Sequence, residues 1–207
     1  MLYICLLAVS LSPFAQTVQD AYAQENADQL RSLMEQADSR ADSLLVRYRL
    51  YPLTENAAVL EDLPETLPEG TARELALLSG LWAYRAGEVS IFNAVSYGRR
   101  SSNLLEAAKQ QDPDAPYVLL VEGQSLLFRP SIAGKDAEAA AQRFDRLADL
   151  VQDAPRHGIA PMEARSWRWL ALREAGQSET AAALHDTLLA ENPAPLYRKF
   201  LQTPPDV

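Results

Sequence analysis

Residues equipped for chemistry are few and scattered in this 207-residue chain. Cysteine occurs once, at Cys5, and histidine twice, at His157 and His185. One thiol cannot form an intramolecular disulfide. One Cys and two His fall short of the usual zinc ligand sets. The sequence contains no G-x-S-x-G, H-E-x-x-H, P-loop or G-x-G-x-x-G spacing. Glu61, Asp62, Glu65 and Glu69 gather carboxylates in one segment, the raw material of a paired-carboxylate hydrolase. A charge run between helices ordinarily just faces water, however. His185 lies within a helical pattern, where it reads as a packed substitute for an aromatic. A general base would need an orienting partner and a nucleophile within reach. The expectation is a protein without catalytic residues, cofactor or metal.

Residues suited to binding are easier to name. Trp82, Trp167 and Trp169 are large enough to anchor a partner, although at helical spacing they read first as core. Residues 93–100 mix Tyr97, Gly98, Arg99 and Arg100 in an otherwise acidic protein. Arg99 and Arg100 could take a carboxylate or phosphate, or could begin the next helix and pair with Glu106; both readings stay open. The net charge of −9 and pI near 4.8 argue against a nucleic-acid partner, which requires clustered Lys and Arg. Lysine occurs only at Lys109, Lys135 and Lys199.

The elements that must position these residues read as helices. The composition is 48% hydrophobic with only 8 Gly, β-branched residues are sparse, and no stretch alternates apolar and polar for long. Leu30, Leu33, Met34, Ala37, Ala41, Leu44, Leu45 and Tyr48 follow helical spacing and predict one long amphipathic helix stopped at Pro52. Thr54 is expected to cap a short second helix. Thr71 and Glu74 form a capping-box pattern. It opens a helix that ends near Ala86, where Gly87 could take the left-handed terminal conformation. Helices are then expected through Leu104–Ala108, from Pro116 to Phe128, from Ala137 to Val151, from Pro161 to Ala175 with Gly176 as terminator, from Ser178 to Ala190, and from Leu196 to Leu201. Proline-rich breaks near Pro113, Pro155 and Pro193 divide them.

The amino terminus carries a different signal. Residues 2–11 are nearly all apolar, yet too short to span a bilayer, which takes about 20 such residues. Ala21-x-Ala23 follows and fits signal-peptidase cleavage after Ala23; cleavage after Ala15 is a second option, and an apolar first helix of the fold a third. No Lys or Arg precedes the run. The division expected is a signal peptide at 1–23, an amphipathic helix and linker at 24–70, and a repeat domain at 71–207.

Three helix pairs, each closing on a proline, suggest a repeat. Gly176 at the turn, Ala181 in the second helix and Pro193 at the close resemble a tetratricopeptide repeat over residues 162–193. Trp169 stands there in place of the usual Gly and His185 in place of the usual aromatic. The preceding unit keeps Gly123, Phe144 and Pro155, with an enlarged turn at 128–136. The first keeps Gly80, Gly87, Ala108 and Pro113, with an insertion around 90–100. The match covers residues 74–193. The 128–136 turn with the following Ala-Glu-Ala-Ala-Ala-Gln-Arg-Phe is similar to secreted bacterial tetratricopeptide-like proteins. The resemblance implies an all-α fold, a short right-handed solenoid of antiparallel helix hairpins with capping helices, and a scaffold in the periplasm or cell envelope.

In such a solenoid the first helix of each pair lines a concave face. Its inward positions would be Glu74, Leu77, Leu81 and Tyr84; then Tyr117, Leu120, Gln124 and Leu127; then Glu163, Ser166, Leu170 and Arg173. Tyr84, Tyr117, Gln124, Leu127 and Arg173, together with Arg99 and Arg100, are the candidate partner-binding residues. The face could be open to an apolar peptide or ligand, or filled by the amino-terminal helix, whose apolar side needs cover. The function expected is a non-catalytic module binding a protein or peptide, without nucleic acid or a transmembrane span and with possible envelope association. The alternative is a periplasmic carrier subunit of a solute transporter, with a small apolar ligand in the groove.

Overall fold

The structure, a computed structural model, describes residues 13–89, 91–152 and 158–207. The apolar run at 2–11, Cys5 and His157 lie outside the described residues. Among the described residues ten α-helices follow one another: α1 (Pro13–Ala23), α2 (Ala27–Glu35), α3 (Arg40–Thr54), α4 (Ala72–Gly87), α5 (Ile91–Gln111), α6 (Pro116–Phe128), α7 (Ala137–Val151), α8 (Pro161–Glu174), α9 (Ser178–Ala190) and α10 (Pro195–Gln202). Short 3₁₀ turns occupy Ala57–Leu60 and Ser131–Ala133. Among the described residues no helix is long and apolar enough to cross a membrane.

The helices pack in pairs, α4 on α5, α6 on α7 and α8 on α9, and the pairs join through α4 against α6 and α7 against α8. This arrangement is compatible with a helical-repeat fold. The capping box at Thr71 and Glu74 forms as its spacing predicts, and opens α4. Arg40 donates to the same Glu74 carboxylate at 2.8 Å, and that hydrogen bond, against the cost of burial, holds Glu74 below the usual carboxylate range. Small residues set the closest approaches. Ser79 on α4 donates to the Ser101 carbonyl of α5 at 2.8 Å. Gly80 faces the ring of Tyr48, which a Cβ would meet at 2.5 Å, and Gly123 faces Phe144 at the same distance. The two repeat-like glycines therefore let an aromatic ring lie on a helix backbone.

Five local expectations need correction. The long helix through Leu30 to Tyr48 is two helices, because Ser39 caps a fresh start by accepting from the Asp42 amide. Pro52 does not stop α3 but lies within its last turn. The cap after it is Asn56, not Thr54, and it opens the 3₁₀ turn at Ala57–Leu60. Gly87 stays helical as the last residue of α4, whereas Gly176 does take positive φ, at 76°. The segment read as an insertion at 90–100 is largely the first turns of α5.

The first and last described helices are drawn inward. Val18, Ala15 and Ala21 of α1 are buried, and α1 packs on α2, α3 and α10. Gln19 donates to the Tyr197 hydroxyl of α10 at 2.6 Å. The α10 helix, expected as a terminal cap, thus meets the first described helix across the molecule.

Two glycines predict opposite outcomes. Gly123→Ala must displace the buried Phe144 ring and should cost about 1–3 kcal/mol. Gly98→Ala, in mid-helix with open space around its Cβ position, should gain roughly 0.5–1 kcal/mol. Urea unfolding of the two variants checks both signs.

Candidate functional site

The helix α3 packs on α4 and reaches α6 and α8 through Tyr48 and Arg49. Its sequence from Leu44 to Tyr51 is buried on nearly every side, Arg47 excepted, which leaves no solvent face for Arg49. This guanidinium, 1% exposed, is held by a buried carboxylate of α8. Arg49 Nη1 donates to Glu163 Oε1 at 2.6 Å and Nη2 to Oε2 at 2.9 Å. Nη2 also donates to the Gly158 carbonyl at 2.8 Å, and the Tyr117 hydroxyl donates to that same carbonyl at 3.1 Å. Gly158 sits at φ 83°, backbone that favours glycine. The ring of Tyr22, on α1, lies 4.6 Å from the guanidinium carbon, within cation–π range. Burial works against the Arg49 charge, but Glu163 and the tyrosines outweigh it and hold its pKa well above the ordinary value.

Tyrosines extend this seam. Tyr48 stacks on Tyr84 with centroids 5.5 Å apart and meets Tyr117 edge-on at 6.0 Å. Tyr51 stacks on Tyr84 at 4.8 Å. The Tyr48 hydroxyl donates to the Gln124 side chain, and that of Tyr51 to Glu88. Burial pushes the hydroxyl of Tyr84 up to about 12 and raises those of Tyr22, Tyr48, Tyr117 and Tyr197.

The expected binding residues therefore fall in three places. Tyr84, Tyr117, Gln124 and Leu127 do gather on α4 and α6 on the side that meets α3, inside the molecule. Tyr117 and Leu127 are buried, and Tyr84 and Gln124 are half-buried against Tyr48 and Tyr51. Of the two readings of that face, α3 fills it. Arg173 stands apart at the end of α8, exposed, over the Trp169 ring at 5.3 Å and paired with Glu174. Arg99 and Arg100 belong to α5, and Arg100 contacts Glu65, Trp82 and Tyr97, none of which contacts Arg49.

Arg100 does not pair with Glu106. It reaches Glu65 at 2.8 Å and lies 4.4 Å from the Trp82 ring centroid. Trp82 in turn donates to the Pro64 carbonyl at 2.9 Å, which ties the acidic linker onto α4. Linker and α5 then form the two walls of an open groove of about 480 Å³. Leu67, Leu75, Leu104 and Ala107 supply apolar lining, and Arg99, with Asn103, supplies polar groups. Arg99 is exposed. Val95, one helical turn before Arg99, is 63% exposed.

The other residues singled out for chemistry either pack or face water. His185 lies 5.0 Å from Trp169, centroid to centroid, and its Nε2 is 3.2 Å from the Leu201 carbonyl oxygen. Trp169 and Trp82 are buried, and Trp167 packs among Phe128, Phe144 and Phe200. Glu61, Asp62, Glu65 and Glu69 are exposed to water. Among the described residues no group of three or more His, Cys, Asp or Glu could hold a metal ion. Sequence reasoning placed Glu163 on the inner face but missed Arg49, which shares the largely apolar stretch from Leu44 to Tyr51 with the less buried Arg47 and so carries no signal of its own.

Two outcomes follow from the seam. Arg49→Met strands the Glu163 carboxylate and should cost about 3–5 kcal/mol, while Arg49→Met with Glu163→Leu should recover most of that loss; urea unfolding measures both. The raised tyrosine values act at alkaline pH. A folded pKa above the unfolded one gives stability that is complete below pH 10.0 and declines as the pH climbs through the folded values. Tyrosinate absorbance should therefore appear together with loss of helical circular dichroism above about pH 10. Ionisation of these hydroxyls in a fully helical protein would contradict the seam.

Compared with known proteins, this chain matches no family model, no curated protein and no solved structure.

Proposed function

We propose that this chain is a non-catalytic helical interaction module of the bacterial periplasm or cell envelope, built as a short tetratricopeptide-like solenoid. It binds a protein or peptide partner in the groove between α5 and the acidic linker. The observation that carries this reading is the occupation of the inner face by α3. A tetratricopeptide-like scaffold would ordinarily offer that face, and here Tyr84, Tyr117 and Leu127 are packed within it. The carrier alternative requires these same residues to line an open apolar pocket, so the geometry favours the partner-binding reading.

The α5 groove has the composition of an interface. It combines apolar lining with an exposed Arg99 and an exposed Val95 beside it. A partner segment carrying a carboxylate beside an apolar side chain would meet Arg99 and the Leu67–Leu104 floor together. Arginine suits such a contact because its fork matches a carboxylate in two parallel hydrogen bonds. Arg100 is engaged with Glu65 and Trp82, and so shapes the groove while Arg99 reads the partner. The residues 2–11 support an envelope location by their apolar character.

The test is crosslinked capture of the partner from native envelope with the tagged chain. Arg99→Glu and Val95→Asp should each lower capture at least about tenfold, as expected for losing one charge-assisted or apolar anchor, with an unchanged thermal midpoint. Tyr84→Ala and Tyr117→Ala should lower the thermal midpoint through the seam. Capture unaffected by both α5 variants would remove the groove as the docking surface.

A further inference from the structure

We infer that α1 is a permanent part of the folded domain, so that Ala21-x-Ala23 is not the site at which the amino-terminal leader is removed. The sequence at Ala21 to Ala23 has the small residues that signal peptidase takes. The structure gives those same residues another reason to be small. Ala15, Ala21 and Ala23 face inward with Val18, all four buried, and α1 packs on α2, α3 and α10. Larger side chains at these points would hold the helices apart.

Three contacts of α1 reach the centre of the molecule. Gln19, 2% exposed, donates to the Tyr197 hydroxyl. The Tyr22 ring covers the Arg49 guanidinium. The Ala15 carbonyl lies against Gly158 closely enough that a Cβ there would meet it at 3.0 Å, and Gly158 is the residue whose own carbonyl accepts from Arg49. A chain beginning at Gln24 would lose all three. Water would then reach one side of the Arg49–Glu163 pair, and the inner faces of α3 and α10 would lie bare.

Signal peptidase acts on the unfolded chain, so burial in the final fold does not itself shield the bond. The inference concerns the product: a chain cut after Ala23 lacks a helix that its core requires. Any leader is therefore removed before α1, or residues 2–11 stay attached and hold the domain at the membrane surface.

The decisive experiment is the intact mass of the chain purified from the envelope fraction of its native host. The expected amino terminus is at or before Pro13. A terminus between Phe14 and Gln24 would overturn the inference. A second measurement is thermal unfolding of residues 13–207 against residues 24–207. The longer chain should unfold cooperatively, and the shorter should melt at least roughly 10 °C lower or show no cooperative transition. Equal melting of the two would also overturn it. Neither measurement depends on the partner groove.

Discussion

A guanidinium removed from water needs strong partners, and Arg49 finds them through Nη1 and Nη2, its buried Nε having none among the described residues; this requirement organises the molecule around it. Its partners come from far along the chain: Glu163 on α8, the Gly158 carbonyl before it, Tyr117 on α6 and Tyr22 on α1. An isolated buried charge of this kind is very costly, and its attraction to Glu163 compensates only with good geometry. The bidentate contact at 2.6 and 2.9 Å supplies it. A displacement of α3 by one turn would leave both charges without partners. The pair therefore fixes where α3 lies more than it adds net stability.

From that constraint the rest follows in order. With α3 fixed, Tyr48 lies on Gly80 and among Tyr84, Tyr117 and Gln124. The side of α4 and α6 that meets α3 is consequently core, and α3 lies at its centre. The α1 and α10 helices close over the same region. What stays open lies on the outside, where α5 and the linker held by Trp82 leave a groove.

Much of the helical framework was legible in the sequence, and for identifiable reasons. Helix boundaries marked by strong local chemistry, such as Thr71 with Glu74, Pro116, Pro161 and Gly176, appear where their signals put them. Boundaries set by weaker competition did not read correctly. Ser39 breaks a continuous apolar stripe because its side chain satisfies a helix amide, a contest that periodicity alone does not register. The inner-face positions were legible through helical spacing, and Leu77, Leu120 and Leu170 are all fully buried. What covers them was left between two readings, because amphipathicity says that a face needs a neighbour without saying which. The Arg49–Glu163 pair was illegible for a related reason: its members are 114 residues apart, and a long-range ion pair has no local pattern.

The central claim is that α3 belongs to the core and is not a displaceable strap over a ligand groove. Native-state hydrogen exchange tests it most directly, because a strap opens locally at low free energy while a core helix opens only with the whole domain. Amides of Leu45 to Leu50 should exchange with the same denaturant dependence as those of Leu120 in α6 and Leu170 in α8. Exchange of the α3 amides by a low-energy local opening, with α6 and α8 still protected, would contradict the account and restore the inner face as a binding site.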